Sequence, residues 1–135
     1  MIKILAVMLL TLLCHPLSAA DDEAKETPPQ KPIYLSMLPH FTVNLSDGTV
    51  PRFLMIKAQT QIANKETRKA LLKHMPAVRH NVLMKLSSLS SEDIRSSSQK
   101  EALRQEIAEI IRKTLTEYAE YDDVKGFFIT SLVTQ

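Results

Sequence analysis

The sequence has little of what most catalytic and metal sites are built from. It contains one cysteine, two glycines and no tryptophan in 135 residues. A single cysteine excludes an internal disulfide and a metal site made of several thiolates. Two glycines argue against a glycine-rich loop that wraps a phosphate. The net charge of +2 is too small to indicate nucleic acid as a partner, and the composition is that of one ordinary globular domain.

Residues 1–20 have the three parts of a secretory signal peptide. Lys3 supplies the positive start, residues 4–13 form an apolar run, and Ser18-Ala19-Ala20 provides small residues before a cleavage site. The run is shorter than the roughly 20 apolar residues that span a bilayer. We therefore expect cleavage after either alanine, with a short membrane anchor or a buried helix as the alternatives.

The rest of the chain divides into a tether and one domain. Residues 21–32 are charged and proline-rich, and they are predicted to be a flexible linker. Residues 33–135 are predicted to be the folded domain. Within it, apolar residues alternate with polar ones in strand-like stretches, and Ser46-Asp47-Gly48 has the chemistry of a hairpin turn. The predicted strand-like stretches are residues 33–38, 40–45 and 52–62, the last two forming a β-hairpin.

Helical spacing follows the hairpin. Asn64 is a good cap for a helix over residues 65–75, and Pro76 separates it from a second helix. A short turn is predicted to hold Ile94. Ser98, with Glu101 three residues on, is predicted to cap a long helix over residues 99–119. Residues 124–133 are β-branched and aromatic and are predicted to form a final strand.

The resulting fold class is α+β, in the order β-β-α-α-α-β. An antiparallel β-hairpin and a C-terminal strand carry three helices on one face of the sheet. The core is predicted from the alternating faces of the hairpin and from the apolar stripe of the long helix. Its predicted members are Phe41, Val43, Leu54, Ile56, Ile107, Ile111 and Leu115.

No catalytic set is visible, and the chain is predicted not to be an enzyme. The serines between residues 87 and 98 lack the strained elbow that exposes a nucleophile, and serines beside helix starts are usually caps. His40, His74 and His80 lack metal-ligand spacing and are read as surface residues, so neither a cofactor nor a metal is predicted. Basic residues in the first two helices indicate a solvated face, or attraction to anionic headgroups or to an acidic partner.

Several short motifs together resemble the FliL family of flagellar basal body-associated proteins. The most specific is residues 39–45, PHFTVNL, which is similar to the family's P-F-T-V-N-L strand with one insertion. The resemblance covers residues 33–135. Its other matches are Pro76 to Arg79, Leu86, Ser91 to Ile94, Lys100, Leu103, Arg104, Glu106, Val124, Phe128 and Gln135.

The resemblance implies a non-catalytic role beside the flagellar stator, in bacterial swimming or swarming motility and chemotaxis. It also implies a stomatin/prohibitin-like fold, assembly into a homo-oligomeric ring, and a place in the periplasm at the inner membrane. Stator or basal-body proteins are the implied partners. The alternative is a periplasmic adaptor module of another envelope complex. The chain departs from the family where His80 replaces an acidic residue, where Gln99 replaces a glycine, and at residues 1–20, where a short signal-like segment is expected in place of the family's transmembrane helix.

Three residues are predicted to take part in interactions: Arg79, His80 and Arg104. Arg79 follows a proline-marked helix start, where its guanidinium can make a bidentate contact with a partner's carboxylate. A salt bridge within the monomer is the alternative for Arg79. His80 can change its charge as pH falls, and Arg104 belongs to the family-like start of the long helix.

Overall fold

A computed structural model describes residues 31–46 and 50–135. Its elements confirm the α+β class. They are β1 (Ile33–Ser36), β2 (Phe41–Asn44), β3 (Phe53–Ile62), α1 (Lys65–Lys73), α2 (Met75–Ser87), a 3-10 turn (Glu92–Ile94), α3 (Ser97–Tyr118) and β4 (Val124–Thr134). The predicted signal peptide, residues 21–30 of the predicted linker, and Asp47-Gly48 of the predicted turn lie outside the described residues.

The long strand β3 organises the sheet. β4 pairs with one edge of β3 along nearly its whole length, from Leu54↔Thr134 to Ile62↔Val124. β1 and β2 therefore share the other edge, one after the other, and all pairings are antiparallel. The predicted hairpin is the β2–β3 pair. β1 lies within the stretch 33–38 that was predicted to be strand-like but was not placed in the predicted three-stranded sheet. It joins that sheet as a fourth strand, because the turn after it returns the chain to the same edge of β3.

The core lies between one face of this sheet and the helices. Along β3, residues at even positions from Leu54 to Ile62 are buried and their neighbours are more exposed, as strand alternation requires. The apolar stripe of α3 packs against this face in one contiguous cluster. All the predicted core residues are buried: Phe41, Val43, Leu54, Ile56, Ile107, Ile111 and Leu115.

The residue that caps the helix start was predicted correctly for α1 and wrongly for α3. The Asn64 side chain accepts a hydrogen bond from the Thr67 amide at 2.7 Å, which confirms the predicted cap of α1. The predicted cap of α3 was wrong, because the helix is capped by Ser96 instead of Ser98. Ser96 Oγ accepts from the Gln99 amide at 3.2 Å, and Gln99 Oε1 accepts from the Ser96 amide at 2.8 Å. This reciprocal capping box starts the helix two residues earlier than predicted.

Candidate interaction sites

Arg79 joins α2 to the turn between β1 and β2. Its Nη1 donates a hydrogen bond to the Pro39 carbonyl at 2.7 Å, and its guanidinium carbon lies 4.4 Å from the centre of the Phe41 ring. Burial lowers the pKa of Arg79, although a guanidinium remains charged throughout the physiological range. Within the described residues, its partners are therefore a carbonyl and an aromatic ring, instead of the carboxylate considered from the sequence.

The surface around Arg79 is open to contact. His80, the next residue of α2, is exposed, and so are Leu38 and Pro39 in the turn. We call Leu38, Pro39, Arg79 and His80 the Arg79 junction. The hydrogen bond from Arg79 holds the turn against α2, so the junction presents Leu38, which is 62% exposed, on a fixed backbone.

Arg104 lies at the opposite edge of the sheet, beside β4. Its Nε donates to the Phe127 carbonyl at 2.9 Å, and Arg112 Nε donates to the Val124 carbonyl at 2.8 Å. The two arginines are eight residues apart, about two turns of α3, so both reach the same strand. They occupy backbone acceptors on the outer edge of β4. An uncovered strand edge is a template for unwanted pairing, and the two arginines block part of this one.

An aromatic pair continues from Arg104 onto the sheet. The guanidinium of Arg104 lies 4.7 Å from the centre of the Phe128 ring, and Phe128 meets Tyr34 edge to face at 5.9 Å. Glu101 forms an ion pair with Arg104 at 3.1 Å. Sequence reasoning missed this cluster, since Tyr34 and Phe128 belong to strands at opposite ends of the domain sequence. The eight-residue spacing of Arg104 and Arg112 was a local signal only for the contact of both arginines with one strand.

The structure does not bring the three predicted interaction residues into one site. Arg79 and His80 belong to the edge of the sheet formed by β2, whereas Arg104 belongs to the β4 edge. Any contact made by all three would need two partners or one partner that wraps the domain.

The outer face of the sheet, away from the helices, carries an exposed apolar patch. Met55 pairs directly with Val133 across β3 and β4, and Phe53 is the next residue of β3 on the same face. We call these three residues the outer patch. Their side chains remain 52% (Phe53), 37% (Met55) and 41% (Val133) exposed. Clustered exposed apolar groups commonly mark an interaction site. The sequence analysis predicted the alternation along this strand but not an exposed apolar cluster on its outer face.

Within residues 31–46 and 50–135, no three histidine, cysteine or acidic side chains are grouped as a metal site would require. In the same part of the chain, no helix combines the length and apolar character needed to cross a lipid bilayer.

Comparison with known proteins identifies a family model and a relative that this chain resembles. The family model described as "Flagellar basal body-associated protein FliL" matches residues 34–135. A protein of Aquifex aeolicus (strain VF5), named "Flagellar protein FliL", is 28% identical over 111 residues. That alignment covers 82% of this chain and 66% of the relative, so the chain spans slightly less than two thirds of the relative's length.

Proposed function

Because the chain belongs to the FliL family of flagellar basal body-associated proteins, we propose that it is a non-catalytic accessory of the flagellar motor. In this proposal the domain formed by residues 33–135 lies in the periplasm at the inner membrane. There it self-associates into a ring and supports the stator units that drive swimming or swarming, and hence chemotaxis. The observation that carries the proposal is the family match over nearly the whole described domain.

Self-association is assigned to the outer patch. Phe53, Met55 and Val133 offer partly exposed apolar area on the outer face of the sheet. Burial of apolar area drives most association between protein copies. The neighbouring β4 edge is partly occupied by Arg104 and Arg112, which favours contact through the face over strand addition along the first half of that edge.

Contact with a stator or basal-body partner is assigned to the Arg79 junction. Leu38 and His80 are both exposed, and neither side chain makes a hydrogen bond, an ion pair or a ring contact within the described residues. Arg79 serves this contact by holding the turn in place, so it acts as a positioning residue. Arg104 is assigned to the ring contact, since its guanidinium borders the outer face at Phe128.

Deletion of the gene in the source bacterium tests the motor assignment. We expect weaker swimming on soft agar and under viscous load, with flagella still assembled. Full motility under both conditions would overturn the motor role. It would favour the alternative, an adaptor of another envelope complex, which fluorescence localisation away from flagellar bases would support.

Two variants separate the assigned surfaces. Met55→Lys should lower the oligomeric state measured by light scattering, because it places a charge in the outer patch. His80→Ala combined with Leu38→Ser should leave the oligomer intact and impair swimming. Lys57→Ala, at a polar position of the same sheet face, is the control. An oligomer unchanged by Met55→Lys would contradict the assignment of the outer patch.

A further inference from the structure

The solvent face of α1 carries a group of cations that are unpaired within the described residues. They are Lys65, Arg68, Lys69 and Lys73, which we call the α1 basic face. Their spacing of three, four and eight residues from Lys65 places them on one side of the helix. The five ion pairs in the described residues use other cations, namely Lys85, Arg95, Arg104, Arg112 and Lys125. The α1 basic face therefore keeps its charge available for a partner.

Apolar and aromatic groups accompany these charges. Leu72 lies exposed between the cations of the same face. At the end of α1, His74 stacks on Tyr118 with ring centres 5.6 Å apart. Tyr118 and Tyr121 are 52% and 50% exposed, and with Lys69 and Lys73 they line a cleft of about 410 Å³. Lysine, tyrosine and leucine side by side are the residues that settle at a membrane–water interface.

Acidic groups near this surface do not reverse its charge. Glu66 lies in the first turn of α1, and Glu120 lines the same cleft as Tyr118. Glu66 also lines this cleft, and the four cations of the α1 basic face outnumber the two glutamates, so the surface as a whole remains positive. An acidic protein would also be attracted, but half-exposed tyrosines and Leu72 beside the cations match a lipid interface better than a purely charged surface.

The start of the described chain lies at the same end of the domain. Pro32 lines a cleft together with Ala63 and Lys125, and Ala63 directly precedes the cap of α1. The preceding residues thus join the domain beside the α1 basic face. A linker over residues 21–32 would reach at most about 40 Å. If the apolar run over residues 4–13 holds the chain at a membrane, the end of the domain that carries Pro32 and the α1 basic face is kept near that membrane.

We propose that the α1 basic face, with Leu72, Tyr118 and Tyr121, docks onto an anionic phospholipid surface. The cations draw the domain to negative headgroups, and the tyrosines and Leu72 enter the headgroup region. This contact would set the orientation of the domain on the membrane. The proposal goes beyond the motor role, because the contact needs no flagellar protein.

Binding of the full chain to lipid vesicles tests the proposed docking. The probes are vesicles of phosphatidylcholine alone and of phosphatidylcholine with phosphatidylglycerol, each at low and high salt. Any binding that residues 1–30 contribute is common to all variants, so the quantity of interest is the gain caused by phosphatidylglycerol. We expect this gain to be lost at high salt, where surface charge is screened. Lys69→Gln with Lys73→Gln should reduce it by roughly thirtyfold, since each basic residue near the surface contributes about 1 kcal/mol.

A matched pair provides the control. Lys57→Gln with Lys100→Gln removes the same charge from positions away from α1, and it should leave binding unchanged. The absence of tryptophan from the chain also allows a single-probe measurement. The fluorescence of Tyr121→Trp should shift to the blue with phosphatidylglycerol vesicles, whereas that of Tyr34→Trp, on the outer sheet face, should not.

Three results would overturn the proposal: equal loss of binding for the two lysine pairs, no blue shift for Tyr121→Trp, or binding to polyglutamate without binding to phosphatidylglycerol vesicles. The last would identify an acidic protein surface as the partner. Failure here would leave the deletion phenotype and the motor role untouched, since neither depends on lipid binding.

Discussion

The two faces of the sheet use apolar residues for different purposes. The inner face of β3 presents Leu54 and Ile56, which are fully buried beneath the helices. The outer face of the same strand presents Phe53 and Met55, which remain partly exposed. Both faces are apolar at this end of the strand, so composition alone does not separate core from interface. What separates them is whether the rest of the chain covers the face.

The largest expected difference in stability is between a variant of α3, which covers the inner face of the sheet, and a variant of the outer face. Ile107→Ala should lower the free energy of unfolding by about 2–5 kcal/mol, because Ile107 is fully buried in α3 and its loss leaves a cavity. Met55→Ala should cost under about 1 kcal/mol, because its side chain is already partly hydrated. Urea denaturation of both variants measures the difference. Similar costs would mean that the outer patch is as well packed as the core.

A second prediction concerns Arg79, whose guanidinium lies over the buried ring of Phe41. Arg79→Ala removes the hydrogen bond to Pro39 and the contact with the buried Phe41 ring, so we expect a loss of about 2 kcal/mol. His80→Ala, one residue on and exposed, should be within about 0.5 kcal/mol of the unaltered protein. Thermal melting of the two purified variants measures this difference in stability. An unchanged melting temperature for Arg79→Ala, with swimming lost, would make Arg79 a direct contact of the partner.

One residue of the inner face of β3, Thr60, is polar. Thr60 is fully buried, and its hydroxyl makes no hydrogen bond within the described residues. Thr60→Val replaces that hydroxyl with a methyl group, and we expect a gain of about 1 kcal/mol in stability. Thr42→Val, at an exposed position of β2, serves as the comparison and should change little. A loss of stability in Thr60→Val would indicate that the hydroxyl has a partner, such as a buried water.

The smallest expected effect lies outside the sheet, in the turn after α2. Asp93 accepts hydrogen bonds from the Ser90 amide at 2.8 Å and from the Ser90 hydroxyl at 2.7 Å, and these bonds lower its pKa. A lowered folded-state pKa gives stability that is present above the ordinary value of 3.8 and is lost as pH falls through the lowered value. Asp93→Asn should therefore melt below the unaltered protein at neutral pH, with the gap closing in acid. Glu117→Gln is the control, and a gap independent of pH would contradict the assignment.

Local patterns were enough to predict much of the fold. The alternation over β2 and β3, the Asn64 cap and the apolar stripe of α3 are all short-range signals, and each was confirmed. The cap of α3 was misplaced because three adjacent serines offer the same local chemistry. Ser98 has Glu101 at the same spacing at which Ser96 has Gln99, so the local pattern fits both serines, and the folded chain uses Ser96.

The sites were less predictable, because their contacts join distant parts of the chain. Arg79 meets Pro39 across 40 residues, and Arg104 meets Phe127 across 23. No periodicity in the sequence records such a pairing. The sequence marked Arg79 through its family-like motif, yet the partner it finds within the chain is a carbonyl instead of a carboxylate.

By itself, then, the sequence determined the α+β class, the order of most elements, the identity of the core and the family resemblance, since each depends on residues close together in the chain or on their order. The tertiary structure alone decided that β1 and β2 share one edge of β3, that Arg79 and Arg104 lie at opposite edges, and which apolar residues stay uncovered. The physical reason is that exposure and long-range hydrogen bonds depend on how elements pack against one another, and a linear pattern does not specify that packing.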